Sequence, residues 1–162
     1  VNQLRDRLAQ TPQSQIPELR LLSQQDWLDA TRAPLETEKD YRAALSHLRG
    51  IAENKFASQV RPALSAYTKA NAGQFPTDLS QLEPYFKSPV DEDILQRWQI
   101  VPADKVPNIA MGSEWIVTQK AAVDPEFDSC IVVGPNGYGS TRFHDLPALQ
   151  RLQNRPAKPT GE

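Results

Sequence analysis

Residues 38–70 read EKDYRAALSHLRGIAENKFASQVRPALSAYTKA, and no other part of the chain carries so regular a pattern. The apolar side chains recur at spacings close to 3.6 residues, the period of an α-helix with one buried face. Pro62 lacks an amide hydrogen and should therefore kink or split this helix. The stretch predicts a long, kinked amphipathic helix from about Glu38 to Ala70. Its periodic positions are Tyr41, Leu45, Leu48, Ala52, Phe56, Val60, Ala63, Leu64 and Tyr67.

Both ends of this helix carry recognisable signals. Thr37 stands three residues before Asp40. At this spacing the threonine side chain can cap the first turn of the helix, and the acidic side chain can accept the backbone amide of the threonine in return. Residues 71–73, Asn-Ala-Gly, follow the last periodic position and supply a stop, because Asn and Gly tolerate the left-handed conformation.

After residue 97 the apolar period falls from 3.6 to 2, which indicates strands. The segments 98–101, 115–119, 129–134 and about 139–143 predict a small, mostly antiparallel sheet of three or four strands. The fold class that follows is α+β, with the long helix packed on the sheet. The turn between the last two strands is Gly134-Pro135-Asn136-Gly137.

Short helices are predicted in the connections. Ser23 and Asp26 begin one of them, Thr77 caps a second, residues 91–93 open a third, and Asp145 begins a last one. Residues 1–35 predict a polar stalk or short helices, 36–154 a single α+β domain, and 155–162 a disordered tail. The chain begins at Val1, so we expect an anchor or export signal to precede it.

The composition excludes several classes of protein. The chain has 162 residues and a net charge of −2, which argues against a strongly basic nucleic-acid domain. A single cysteine, Cys130, excludes an internal disulfide, and its place among Ile and Val predicts a small buried hydrophobe. Two histidines leave little scope for histidine-based catalysis.

Two motifs carry a family resemblance. Residues 67–82 read YTKANAGQFPTDLSQL, and residues 134–137 read GPNG. In this order they resemble the soluble part of type II secretion pseudopilins and related type IV pilin-like proteins over about residues 41–140. In that family a long helix ends in an aromatic turn, a Leu-x-x-Leu helix and a small antiparallel sheet follow, and a Gly-Pro-Asp/Asn-Gly turn comes near the end. The resemblance implies a pilin-like globular domain.

The chain departs from the family pattern in two respects. The family's apolar N-terminal helix is replaced by some 35 polar, proline-broken residues. In addition, Arg49, Lys55 and Arg61 interleave with the apolar stripe, which predicts a soluble helix with a single buried face. The resemblance therefore implies a head domain more than a fibre subunit.

Asp124, Glu126 and Asp128 are the candidate metal ligands. Three alternating carboxylates on one loop offer the oxygen ligands that Ca²⁺ takes, and the resembled family includes calcium binders in this part of the fold. The alternative is a solvated acidic turn joining two strands. No other cofactor is predicted. Residues 91–93, also acidic, fit a helix N-terminus better than a metal or general-acid cluster.

Two further candidates concern partners and catalysis. Trp27 lies in the weakly patterned N-terminal third, so it either packs internally or anchors a partner, whereas Trp98 and Trp115 are expected in the sheet core or between helix and sheet. A small hydrolase could use a Ser140–His144–Asp145 triad or the acidic loop, but neighbours in sequence rarely converge in the geometry a nucleophile needs, and no Gly-x-Ser-x-Gly elbow surrounds any serine.

The predicted function is that of a non-enzymatic, periplasmic or otherwise extracytoplasmic head domain. It would act through protein partners or self-assembly in the cell envelope, without nucleic acid, and would meet the membrane only through a preceding N-terminal anchor. A membrane-tethered regulatory or sensory domain that binds a protein partner is the first alternative. A small hydrolase is the second.

Overall fold

The computed structural model describes residues 1–106 and 112–143. The chain is α+β, as predicted: helix α3 (Glu38–Ala70) packs against a four-stranded sheet. Strands β1 (Trp98–Pro102), β2 (Trp115–Gln119), β3 (Ser129–Gly134) and β4 (Gly137–Arg142) lie side by side in chain order. Every neighbouring pair is antiparallel, so β1 and β4 form the two edges.

Helix α3 begins and ends where its sequence signals predict. The Thr37 hydroxyl accepts the Asp40 amide, and the Asp40 carboxylate accepts the Thr37 amide at 2.8 Å, which completes a capping box. The helix runs through Pro62 without a break, so of the two predicted outcomes, a kink or a split, the split does not occur. The turn after Pro62 is held in place because Ala63 and Leu64 are fully buried in the core.

The chain reverses direction directly after α3. Asn71 caps the helix, and both Ala72 (φ 54°) and Gly73 (φ 82°) take the left-handed conformation. The Gly73 amide donates to the Thr68 carbonyl at 2.7 Å, which closes the last turn. This sharp stop brings Phe75 back toward the sheet.

The sheet is buried on both faces. On the helix side, Phe56 of α3 meets Trp98 of β1 edge-on, with ring centroids 5.1 Å apart. The opposite face carries a second apolar cluster that includes Cys130 and Val132. Burial on both sides explains why β3 reads as an unbroken apolar run rather than an alternating one. The helix-side cluster contains Phe56, Ala57, Val60, Ala63, Leu64, Leu79, Leu82, Ile94, Leu95, Trp98, Val117, Ile131 and Val133.

The N-terminal segment, residues 1–35, forms short helices that pack on α3. They are α1 (Asn2–Gln10), α2 (Gln24–Asp29) and two 3₁₀ helices, Pro12–Ser14 and Pro17–Leu21. Each proline stands at the first position of its 3₁₀ helix, where no amide hydrogen is needed, so it starts a helix rather than breaking one. Of the two predicted forms, the structure has short helices and no projecting stalk.

The connections differ from the predictions in detail. The helix expected after Thr77 is a 3₁₀ helix, Leu79–Tyr85, and its cap is Asp78, whose carboxylate accepts the Ser80 amide at 2.8 Å. Thr77 instead donates its amide to the Gln81 side chain at 2.8 Å. Helix α4 (Glu92–Gln96) begins after Asp91, as predicted.

The predicted helix at Asp145, the domain end at residue 154 and the tail 155–162 lie outside the described residues. Within residues 1–106 and 112–143, no helix combines the length and the apolar character that crossing a bilayer requires.

Candidate functional site

An open groove of about 840 Å³ lies beside the C-terminal end of α3. Its walls include Lys69 from α3, Phe75 from the following turn, Ile100 from β1, Trp115 from β2 and Asn136 from the β3–β4 turn. We call this surface the sheet-edge groove. The same two segments that carry the family resemblance, the aromatic turn and the Gly-Pro-Asn-Gly turn, thus meet at one place.

Trp115 gives the groove its exposed apolar surface. Its side chain is 42% exposed, although the residues that follow it in β2 are buried. The sequence predicts Trp115 in the sheet core or between helix and sheet, and this prediction is wrong, because Trp115 stands at the first position of its strand, outside the covered part of the sheet. For Trp27 the sequence leaves internal packing and a partner anchor open.

Trp27 is only 9% exposed and packs inside the chain. It shares an apolar cluster with Leu4 and Leu48, and the Arg5 guanidinium lies over its ring at 5.1 Å. The Ser23 cap orients α2 so that this ring faces α3. The indole therefore serves to hold α1 and α2 on the long helix.

A second hollow of about 710 Å³ continues the sheet-edge groove along β1. The two share Thr77 and Ile100 in their walls, so they adjoin there. Carboxylates line the second hollow at Asp78, Glu83 and Glu92, with one lysine, Lys120. The combined surface is an elongated depression, apolar at the Trp115 end and acidic at the other.

Strand β1 presents backbone groups to this depression. The Lys120 amide donates to the Arg97 carbonyl and the Ala103 amide to the Glu114 carbonyl, each at 2.8 Å. Because hydrogen-bonded pairs alternate along an antiparallel ladder, the amide and carbonyl of Ile100 point away from β2. Among the described residues β1 has no other strand partner. The edge is open in the sense that no described strand pairs with it, although the 3₁₀ helix Leu79–Tyr85 also contacts β1.

The predicted calcium ligands are engaged by arginines instead. Arg42 binds Asp124 through two hydrogen bonds of 2.8 and 2.9 Å and reaches Glu126 at 2.7 Å. Arg49 binds Asp128 at 2.7 Å, and both side chains are buried. The Arg42 guanidinium lowers the pKa of the Asp124 carboxyl below its usual range.

This arrangement does not fit the predicted calcium site. Asp128 also accepts the amides of Val123 (3.0 Å) and Asp124 (2.8 Å), so its oxygens already have partners. Within the described part of the chain no three acids, histidines or cysteines are grouped to hold a metal ion. The alternative, a solvated acidic turn, describes only the tip of the loop: Glu126 is 67% exposed, whereas Asp124 and Asp128 are held on α3 by the two guanidinium groups.

The other sequence candidates are less informative. In residues 91–93, Asp91 and Asp93 flank the start of α4 and pair with Arg20 at 2.6 and 3.7 Å. Ser140 is exposed on β4, and its proposed partners His144 and Asp145 lie outside the described residues. Cys130 is buried in β3, and burial raises the pKa of its thiol to about 11, which leaves it protonated and unreactive.

A buried charged cluster was missed from the sequence. Glu18, in the 3₁₀ helix Pro17–Leu21, is fully buried, and Glu53 of α3 is 5% exposed. Arg97, between α4 and β1, contacts both. The sequence feature that indicates buried charges lies on α3, where the charged residues Arg49 and Glu53 fall within the apolar stripe.

No family model, curated protein or solved structure matches this chain. The case for the function of this chain therefore depends on the sheet-edge groove and on the order of the helices and strands along the chain.

Proposed function

We propose that the chain is a non-enzymatic, extracytoplasmic head domain of the pseudopilin-like kind, which acts by protein–protein contacts in a cell-envelope assembly. The observation that carries the proposal is the sheet-edge groove, where a 42% exposed tryptophan stands beside an open strand edge. Exposed aromatic side chains of this kind supply much of the binding energy at protein interfaces.

The groove favours a particular kind of partner contact. An extended segment of the partner protein would lie along β1, exchanging hydrogen bonds with the backbone of Ile100. One apolar side chain of that segment would cover Trp115, and basic side chains would face Asp78, Glu83 and Glu92. An open strand edge supplies affinity through the backbone, while the groove walls supply specificity.

The order of the elements is consistent with the same proposal. A long capped helix, an aromatic turn, a Leu-x-x-Leu helix and an antiparallel sheet ending in a Gly-Pro-Asn-Gly turn follow one another as the resemblance implies. This order supports a pilin-like head and is equally compatible with a membrane-tethered regulatory domain. Both readings use the groove for a protein partner, and the identity of that partner distinguishes them.

Site-specific photocrosslinking tests the proposal. A photoreactive phenylalanine analogue replaces Trp115 in the full-length protein, produced in its host, and replaces Leu28 in a matched control. Leu28 is 45% exposed but lies in α2, away from the groove. We expect an adduct with a cell-envelope protein, or with a second copy, from position 115 alone. Identical adducts from both positions, no adduct, or an adduct with a cytoplasmic protein would overturn the proposal.

A further inference from the structure

Three elements meet at the guanidinium of Arg97, which is 20% exposed and borders an open groove. Arg97 contacts Glu18 at 2.6 Å (Nη1 to Oε2) and Glu53 at 3.1 Å (Nη2 to Oε1). The Trp98 indole donates to the other oxygen of Glu18 at 2.8 Å. Glu18 belongs to the 3₁₀ helix Pro17–Leu21, Glu53 to α3, and Arg97 to the junction of α4 and β1. The cluster thus joins the N-terminal segment to the domain.

The charges around Glu53 do not balance. Glu18 faces it from the 3₁₀ helix, Asp128 from the loop before β3, and the Cys130 thiol from β3. The cations are Arg97 and, paired with Asp128, Arg49. Three carboxylates therefore share two guanidinium groups in a buried space, which leaves one surplus negative charge. A surplus charge that is shielded from water is most easily removed by a proton.

The pKa of Glu53 agrees with this geometry. Burial is the largest cause and raises the pKa of the carboxyl to about 7, with smaller upward contributions from Glu18 and Asp128. Arg97 acts in the opposite direction but does not compensate. Glu18 accepts the indole N–H of Trp98, and its other oxygen lies 2.6 Å from Arg97 Nη1 in an ion pair that lacks hydrogen-bond geometry.

We propose that Glu18, Arg97 and Glu53 form a proton-linked latch that holds the 3₁₀ helix Pro17–Leu21 closed while Glu53 is protonated. When Glu53 ionises, the closed state keeps two charged carboxylates on one guanidinium. Local opening of the 3₁₀ helix admits water to both carboxylates and separates them. Rising pH therefore favours the open state.

Several contacts hold this helix closed. At its outer side Arg20 pairs with Asp91 in an exposed ion pair, which contributes little to stability. On its inner side Leu19 and Leu21 pack against the apolar clusters, and the Lys55 ammonium donates to the Leu21 carbonyl at 3.4 Å, so opening has to break these contacts as well. An open groove of about 730 Å³ already borders the helix at Ile16, and opening would extend this groove toward Trp98.

Hydrogen exchange tests the latch. The amides of Leu19 and Leu22 close the 3₁₀ helix, donating to Ile16 and Leu19 at 3.1 and 3.2 Å. Exchange is measured from pH 5 to 8 on the wild type, on Glu53→Gln, and on Glu36→Gln as an exposed control. Division by the intrinsic exchange rate at each pH gives the protection of these amides.

We expect the protection in the wild type and in Glu36→Gln to fall roughly tenfold per pH unit between pH 5 and 7, and then to level off. Glu53→Gln, which stays neutral, should keep its protection throughout. A flat profile in the wild type, or the same fall in Glu53→Gln, would overturn the latch.

A second measurement uses only the wild type, so it remains decisive even if Glu53→Gln does not fold. The carboxyl carbon of Glu53, followed by NMR in the wild type, should titrate with a midpoint near pH 7. A midpoint below pH 5 would overturn the proposal.

Discussion

Arg49 of α3 and Asp128 of the loop before β3 form an ion pair in which both side chains are almost completely buried, 3% and 6% exposed, with 2.7 Å between Nη2 and Oδ1. The pair joins residues 79 positions apart in sequence. It engages Asp128, one of the predicted calcium ligands, and it fixes the acidic loop to the long helix.

Arg49→Met should lower the free energy of unfolding by about 3–5 kcal/mol, because it leaves the buried Asp128 carboxylate without its cation. Arg42→Met is the exposed comparison, since Arg42 also binds the acidic loop, through Asp124 and Glu126, but is 39% exposed. Arg42→Met should lower the free energy of unfolding by less than about 1 kcal/mol. Urea unfolding of both variants measures the difference, and equal losses would contradict the structural role assigned to burial.

Calcium should not stabilise the protein. Asp124 and Asp128 already bind Arg42 and Arg49, so an ion would have to displace two guanidinium groups. The melting temperature in millimolar Ca²⁺ should equal that in chelator within the error of the measurement. A rise of several degrees would mean that the loop rearranges around the ion.

Global stability should depend on pH through Glu53. Its pKa is about 7 in the folded protein against an ordinary 4.5, so the stability that the protonated carboxyl contributes is present below pH 4.5 and lost as pH rises through 7. The loss is on the order of 3 kcal/mol. Urea unfolding from pH 5 to 8 should show this decline in the wild type and not in Glu53→Gln. If the free energy of unfolding changed with pH in the same way in both proteins, Glu53 would not be the cause of the decline.

Gly50→Ala should stabilise the protein by roughly 1 kcal/mol, because glycine is a poor helix former. Gly50 lies inside α3, and a Cβ placed there meets no heavy atom within 4 Å. Gly73→Ala is the contrasting variant, since φ of +82° strains any residue with a side chain. Thermal unfolding should move up for the first variant and down for the second. A destabilised Gly50→Ala would show that α3 is constrained there in a way the contacts do not reveal.

The helix and the strands were predictable because each depends on local patterns. The 3.6-residue period and the Thr37–Asp40 box define α3, and the apolar run Cys130–Val133 marks a strand buried on both faces. The Thr77 cap was wrong by one residue because Thr77 and Asp78 are both good caps, and only the backbone conformation selects between them.

The buried charged cluster and the sheet-edge groove were far less predictable, because each is formed by residues that are distant in sequence. Glu18 and Arg97 are 79 positions apart, and nothing local indicates that either is buried. The exposure of Trp115 and the burial of Trp27 could not be decided from the sequence for the same reason: exposure depends on which element covers a side chain. The apolar stripe of α3 did contain a usable signal, since Arg49 occupies a position that faces the core.

The most direct test of the groove is the affinity for the partner that crosslinks to position 115. Trp115→Ala is compared with Leu28→Ala by calorimetry, after thermal unfolding has shown both variants to be folded. We predict that Trp115→Ala weakens binding at least tenfold, about 1.4 kcal/mol or more, while Leu28→Ala binds like the wild type. Unchanged affinity in Trp115→Ala would contradict the assignment of the sheet-edge groove as the protein-binding surface.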